Sequence, residues 1–329
     1  MRAAITGLGH YLPKKRLSNT DLEKLVDTND EWVFTRTGIR ERRIEDEGKG
    51  VCSMCVEAAK MIFKQKNISA DEIDLILLAT ITPDMQVPSA AALVQHTLGA
   101  KNCWGFDING ACSGFLYALA VGAQFIETGR HKKILVLGAD KMSSIINYKD
   151  RNTCIIFGDG AGAALLEPSE DDNLGIHDFD LHLDGIGAQY LCVEAGGSAK
   201  PASHETVEKK QHYVYQDGKT VFKNAVTEMS DVSKKILDKN NLTGRDIALL
   251  IPHQANIRII EAVSKKLELE PHQVMINIEK YGNTTAGTIP IAMSEAYQAK
   301  RMKKGDWVVL STFGAGFTWG SMLLKWAMD

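Results

Sequence analysis

The chain is short of cysteine, of proline, of any long hydrophobic run and of any excess of one charge, and each shortage excludes something. Six cysteines in 329 residues (Cys52, Cys55, Cys103, Cys112, Cys154 and Cys192) are too sparse for a disulfide scaffold. Several sit inside apolar runs, as small buried residues do, so a reducing, cytoplasmic compartment is expected. Eight prolines and 44% apolar residues exclude collagen-like and disordered chains. No apolar run approaches the roughly 18–20 residues of a membrane helix. The start, Met1 to Gly7, reads as a strand followed by glycine, with no signal-peptide core. Lysine and arginine total 38 against 41 acids, a net charge of −3, which argues against general electrostatic binding of nucleic acid. No set of His, Cys, Asp and Glu has metal-ligand spacing, so no metal is expected. Cys52-Ser-Met-Cys55 lacks a second pair and, on a helix over 51–65, reads as core-facing.

What the chain does have is a repeat. Ile68-Ser-Ala-Asp-Glu-Ile-Asp-Leu-Ile-Leu-Leu78 is echoed by Leu242-Thr-Gly-Arg-Asp-Ile-Ala-Leu-Leu-Ile251. A helical pattern precedes each copy, over 51–65 and 221–239. Strand candidates at 104–108 and 274–278 follow about thirty residues later, then long helix candidates at 113–128 and 285–300, then strands at 134–138 and 307–312. The strands are continuous apolar runs, so both faces of each sheet should be covered. The helix over 113–128 is apolar nearly all round and should be buried, with Gly129 as its stop. The expectation is an α/β fold of two pseudo-symmetric halves, residues 1–172 and 173–329, with central helices between two sheets. The polar stretch 194–218 reads as a surface connection or lid. Gly158-Asp-Gly-Ala-Gly162 and Gly314-Ala-Gly316 lack the spacing of a dinucleotide or phosphate loop and read as tight turns or close packing.

Ligand sites in such sheets gather beyond the carboxyl ends of strands. Cys112 follows the strand at 104–108 and opens the buried helix, where the dipole favours a thiolate nucleophile. His253 follows the strand at 247–252. Asn283 follows the one at 274–278, at nearly the place that Cys112 takes in the first copy. Taken singly, each has a plain alternative: a core cysteine, a satisfied polar histidine and a helix cap. Their pseudo-symmetric placement lets them converge.

Asn109-Gly-Ala-Cys-Ser-Gly-Phe115, Pro252-His-Gln-Ala-Asn256, Gly282-Asn-Thr-Thr285 and Phe313-Gly-Ala-Gly-Phe-Thr-Trp-Gly320 resemble the β-ketoacyl-acyl-carrier-protein synthase III family. So do Asn29-Asp-Glu-Trp-Val33, Thr35-Arg-Thr-Gly-Ile39 and Phe157-Gly-Asp-Gly-Ala-Gly162, and the likeness runs from about Ile5 to Lys325. The resemblance implies the thiolase fold, a duplicated αβαβα core. It also implies a decarboxylative Claisen condensation that starts fatty-acid synthesis, without a cofactor and in a homodimer. Cys112 would take an acyl group from acyl-CoA as a thioester. The backbone N–H groups of Cys112 and Ala315 would stabilise the oxyanion. His253 and Asn283 would donate to the thioester oxygen of malonyl-acyl-carrier protein as carbon dioxide leaves. Ala315 departs from the glycine of some relatives and adds a Cβ to that turn.

By the same resemblance, Thr28, Trp32, Arg36 and Arg151 line a CoA entrance, where indole and guanidinium would sandwich adenine. Gly218, Phe222, Asn256 and Arg258 would follow the pantetheine. Lys223, Arg258, Lys265 and Lys266 would meet the acidic carrier, although Lys265-Lys266 alone reads as a solvated helix face. Val87 would close the acyl pocket across the dimer interface, where acetyl-specific members often carry phenylalanine. Three other readings stand beside this one. An acyltransferase or primer-specialised relative keeps the fold, and a non-catalytic partner subunit would have no need of Cys112, His253 and Asn283 together. A degradative thiolase is expected to need a second, late cysteine, and none follows Cys192.

Overall fold

The computed structural model describes every residue, Met1–Asp329. Strand β1 (Ala3–Tyr11) is followed by an outlying ribbon of β2 (Lys15–Ser18) and β3 (Glu41–Ile44), then by β4 (Leu75–Ala79), β5 (Trp104–Ile108), β6 (Ile134–Lys141) and β7 (Asp159–Pro168). The longer five form one sheet in the order β1-β7-β6-β4-β5, parallel at β6-β4-β5 and antiparallel at β1-β7-β6. The chain leaves it through residues 169–174. Strand β8 (Gly175–Leu183) leads to a hairpin of β9 (Leu191–Val193) and β10 (Val214–Gln216), then to β11 (Ile247–Pro252), β12 (Trp307–Gly314) and β13 (Thr318–Lys325). The second sheet runs β11-β12-β13-β8, with only β11 and β12 parallel.

Two central helices, Gly114–Glu127 and Thr288–Gln298, lie between the sheets. Their side chains share one core with Leu75 and Val136 of the first sheet and Leu249 and Leu310 of the second. The helix Val51–Lys66 covers the other face of the first sheet, and Gly218–Lys239 with Ile257–Lys266 covers that of the second. The order is therefore helix, sheet, helix, sheet, helix. Gly114–Glu127 is buried because it has no polar face to turn to water, whereas Ile257–Lys266 is amphipathic and stays outside.

Four expectations need correction. Residues 274–278 are no strand: only Val274 bridges to Leu250, and Ile278 already opens a short helix. The side chain of Gln254 takes the place of a neighbouring strand, its Oε1 accepting the N–H groups of Asn277 and Ile278 at 3.0 and 3.2 Å. Secondly, β1 does not end at Gly7 but continues to Tyr11. Glycine permits close approach of the outer helix here, since a Cβ at Gly9 would lie 2.2 Å from the Ala58 carbonyl oxygen. Thirdly, β5 is an edge strand and Trp104 is 49% exposed, so it is not covered on all sides. Fourthly, Cys55 is buried as expected, but Cys52 is only partly so, near the Thr97 hydroxyl. The Gly158–Gly162 cluster is close packing: it enters β7, where a Cβ at Gly162 would lie 2.5 Å from Pro290.

Candidate active site

Strand β5 delivers the chain to a 3-10 turn, Ala111–Ser113, which heads the first central helix and carries Cys112. In the second half, Thr285–Gly287 heads Thr288–Gln298 in the same way. Ala111 (φ 47°) and Thr285 (φ 49°) occupy the same left-handed position, uncommon for residues other than glycine. Aligned on that pair, Cys112 corresponds to Ala286, and Asn283 corresponds to Asn109. The two candidate residues are thus three positions apart in the repeat and are not true counterparts.

Cys112 is 7% exposed and unpaired. Burial pushes its thiol well up, the Asp140 carboxylate pushes it further, and a backbone hydrogen bond opposes both weakly. The helix-end field that favours thiolate is outweighed, so the resting group is a thiol. The N–H of Ala315 has no acceptor within the chain, that of Cys112 is directed at its own thiol, and both residues line one cavity. Ala315 fits the turn between β12 and β13, and its added methyl group leaves its amide free.

His253 follows β11 and is 2% exposed, its backbone N–H held by Ser311 O at 2.8 Å. Burial alone lowers its pKa to about 3, so the ring is neutral at physiological pH. Its Nδ1 lies 2.6 Å from Thr288 Oγ1. Asn283 is locked between Ile156 and Gly158 by backbone hydrogen bonds of 2.9 and 3.0 Å. Its Oδ1 accepts the Thr285 N–H at 2.8 Å, which leaves Nδ2 with no acceptor in the chain. The cap-like bond and the free donor coexist in one side chain.

Cys112, His253 and Asn283 all line one cavity of about 510 Å³, together with Gly218, Phe222 and Asn256. A second, mostly apolar cavity of about 380 Å³ also touches Cys112 and is lined by Met142, Ile145, Leu191, Cys192, Val193 and Val214 among others. The hairpin β9-β10 supplies four of these, while none of the residues 194–213 that it brackets lines either cavity. A wider groove of about 980 Å³ elsewhere, around Lys66, Arg130 and Glu167, is charged in both signs and holds no candidate nucleophile. Cys112 is the candidate nucleophile.

The expected entrance residues form two adjoining groups. Trp32 has the Arg36 guanidinium 4.5 Å and the Arg151 guanidinium 5.0 Å from its ring centroid. The Thr28 hydroxyl is buried without a partner. Arg258 lies 5.2 Å over Phe222, and Asn256 Nδ2 ties the two groups together through Arg36 O at 2.9 Å. Lys223, Arg258 and Lys265 are exposed, while Lys266 is held by Asp231 at 3.0 Å. Val87 is 83% exposed and lines neither cavity of its own chain.

Sequence reading missed Asp140, Thr285 and Thr288. Asp140 is fully buried and accepts from Thr80, Ile81 and Thr82 of one half and from the Thr285 hydroxyl and the Ala286 N–H of the other. Gly138 admits that turn, for a Cβ there would lie 2.4 Å from the Ala286 carbonyl oxygen. The available signal was a lone acid closing the apolar run of β6.

Residues 106–185 match the family described as 3-Oxoacyl-[acyl-carrier-protein (ACP)] synthase III, and residues 237–326 match its C-terminal part. A β-ketoacyl-[acyl-carrier-protein] synthase III of Koribacter versatilis (strain Ellin345) is 54% identical over 327 residues, covering 99% of this chain and 98% of the relative. The chain belongs to this family. The synthase III of Aquifex aeolicus VF5 superposes with a TM-score of 0.90 at 43% identity, over 98% of this chain and 100% of that one. The priming β-ketosynthase of the R1128 polyketide pathway has a TM-score of 0.91 at 31% identity, over 99% and 96% of the two chains. The duplicated five-layer core is accordingly the thiolase fold, and the synthase III family consists of condensing acyltransferases of fatty-acid biosynthesis.

Proposed function

We propose that this chain condenses a short acyl-CoA with malonyl-acyl-carrier protein, with loss of carbon dioxide, to give the 3-oxoacyl-acyl-carrier protein that initiates fatty-acid synthesis. The observation that carries this reading is a single cavity lined by a buried thiol, a neutral imidazole and a carboxamide whose Nδ2 has no acceptor, beside the unpaired backbone amide of Ala315. Cys112 Sγ attacks the acyl thioester, CoA leaves as the thiol, and the N–H groups of Cys112 and Ala315 hold the oxyanion. His253 and Asn283 then donate to the malonyl thioester oxygen as its carboxylate departs. The resulting carbanion attacks the acyl carbonyl and expels Cys112 as the thiolate, which takes up a proton from solvent to restore the thiol. Each step uses side chains and amides of the protein, with acyl-CoA as substrate and no cofactor. Thr28, Trp32, Arg36 and Arg151 receive the nucleotide, and Gly218, Phe222, Asn256 and Arg258 the pantetheine arm. The compartment proposed is the cytoplasm; no helix is long and apolar enough to cross a membrane.

A homodimer is part of this reading. Strand β5 has one open edge, and Met85, Val87, Leu183 and Ile186 expose large apolar side chains. An uncovered edge of this kind is a hazard that a second copy removes. In such a dimer Val87 would close the acyl pocket of the other copy. The apolar cavity of about 380 Å³ exceeds an acetyl group, given that one water occupies about 30 Å³ of liquid. Longer or branched primers are therefore expected beside acetyl-CoA, which is also where a primer-specialised role, like that named for the R1128 relative, would differ. Intact-protein mass spectrometry with a panel of acyl-CoAs tests the reading. Cys112 should gain one acyl group and lose it when malonyl-acyl-carrier protein is added, with release of carbon dioxide. Acyl loss without carbon dioxide would replace the condensation by acyl transfer to another nucleophile.

Carrier docking is assigned to Lys223, Arg258, Lys265 and Lys266. Arg258 and Lys265 are seven residues apart, hence on one stripe of their helix. Lys266 is already paired with Asp231 and contributes less. Lys265→Glu is expected to raise the KM for malonyl-acyl-carrier protein several-fold at low salt and to spare acylation by acyl-CoA, because rim charges act mainly on encounter. Unchanged carrier kinetics at low ionic strength would move the docking surface elsewhere.

A further inference from the structure

The roles assigned to His253 and Asn283 require each to present a hydrogen toward the cavity, and a neutral imidazole carries only one. Which nitrogen holds it depends on the partner of the other. His253 Nδ1 has one neighbour within hydrogen-bond reach, the Thr288 hydroxyl at 2.6 Å, in a site where both residues are 2% exposed. That hydroxyl has a single proton and two acceptors in range: Nδ1 and, at 3.0 Å, the Thr285 carbonyl oxygen. The carbonyl already accepts the backbone N–H of Thr288, which closes the 3-10 turn. The ring nitrogen has no other donor. Of the two contacts of the Thr288 hydroxyl, the one to Nδ1 is the shorter.

We propose that Thr288 is a positioning residue which donates its hydroxyl hydrogen to His253 Nδ1, so fixing the ring proton on Nε2 and making His253 a donor toward the cavity. The same turn orients the second donor, because the Thr285 N–H engages Asn283 Oδ1 and leaves Nδ2 free. Asp140, from the half that carries Cys112, holds the Thr285 hydroxyl and the Ala286 N–H in place. One turn, residues 283–288, thus sets the polarity of both donors. With the proton on Nε2, the ring has no lone pair to offer the Cys112 thiol. His253 therefore serves the malonyl half-reaction and is not the base for acylation. This inference rests on the condensing reading above for its kinetic consequence, but the tautomer itself is independent of that reading.

The experiment has three arms. In protein labelled with 15N-histidine, the ring signals that vanish in His253→Gln should report a neutral ring with hydrogen on Nε2; hydrogen on Nδ1 would overturn the proposal. Thr288→Val keeps the shape and removes the hydroxyl. It should lower kcat for malonyl-acyl-carrier protein decarboxylation by roughly tenfold or more, the worth of one hydrogen bond to a buried group, while the KM and the acylation rate of Cys112 stay within about threefold. Thr288→Ser should restore decarboxylation to near the parent rate. A serine variant as slow as valine, a valine variant with unchanged decarboxylation, or equal losses in both half-reactions would reduce Thr288 to a packing role. If the valine variant does not fold, the spectrum of the parent protein and the serine variant still decide the matter. Should the parent protein fail to decarboxylate malonyl-acyl-carrier protein at all, the condensing reading falls, and the 15N spectrum alone tests Thr288.

Discussion

With Cys112 replaced by serine, no acyl-enzyme is expected after exposure to any acyl-CoA, as read by intact-protein mass. The thiol is already pushed up by burial and by the Asp140 charge, so ionisation is costly even for sulfur. A hydroxyl in the same cavity ionises far less readily and is the weaker nucleophile, and the backbone amides at positions 112 and 315 cannot compensate for a nucleophile that does not form. The change is nearly isosteric, so the fold and the neighbouring donors should persist. Slow decarboxylation of malonyl-acyl-carrier protein should therefore remain measurable in the variant. Acylation at the parent rate would remove Cys112 as nucleophile and with it the proposed sequence of steps.

Loss of the Asn283 amide should divide the two half-reactions. Asn283→Ala is expected to leave acylation of Cys112 within a few-fold of the parent and to lower condensation by roughly a hundredfold or more, as for removal of one donor aimed at developing negative charge, worth about 3–4 kcal/mol. Alanine also removes the acceptor of the Thr285 N–H, so a second variant separates the two roles. Asn283→Asp keeps an oxygen for that N–H and presents no amide hydrogen to the substrate. Aspartate as inactive as alanine in condensation, with acylation preserved, assigns the loss to the missing donor. Recovery of condensation in the aspartate variant would instead assign it to the turn, and a parallel fall in acylation in both variants would end the division of labour proposed here.

The duplication was legible in the sequence because it is carried by local pattern. The helix that precedes the echo, the apolar strand in it and the buried helix after it are each set by neighbours a few residues apart, and the structure returns them within a few residues. Cys112, His253 and Asn283 were singled out as polar residues shortly after apolar runs, although the run before Asn283 is not a strand. Where a local pattern misled, a distant side chain had intervened. Residues 274–278 have strand composition, but the Gln254 carboxamide occupies the N–H groups that a ladder would have used.

The chemical state of the site lay outside any local pattern. The protonated thiol at Cys112 follows from burial between two halves of the chain, and the neutral ring of His253 follows from burial alone. Asp140 meets Thr285, which lies 145 positions further along the chain, and the apolar cavity is assembled from residues as far apart as Ile81 and Gly316. The sequence by itself thus determined which elements form and which residues stand at their ends, since propensity and periodicity act over one or two turns. Only the tertiary structure decided which of those residues share a cavity, which donors are left free to face it and which groups carry a proton, because desolvation and hydrogen-bond partnership depend on what the rest of the chain brings alongside.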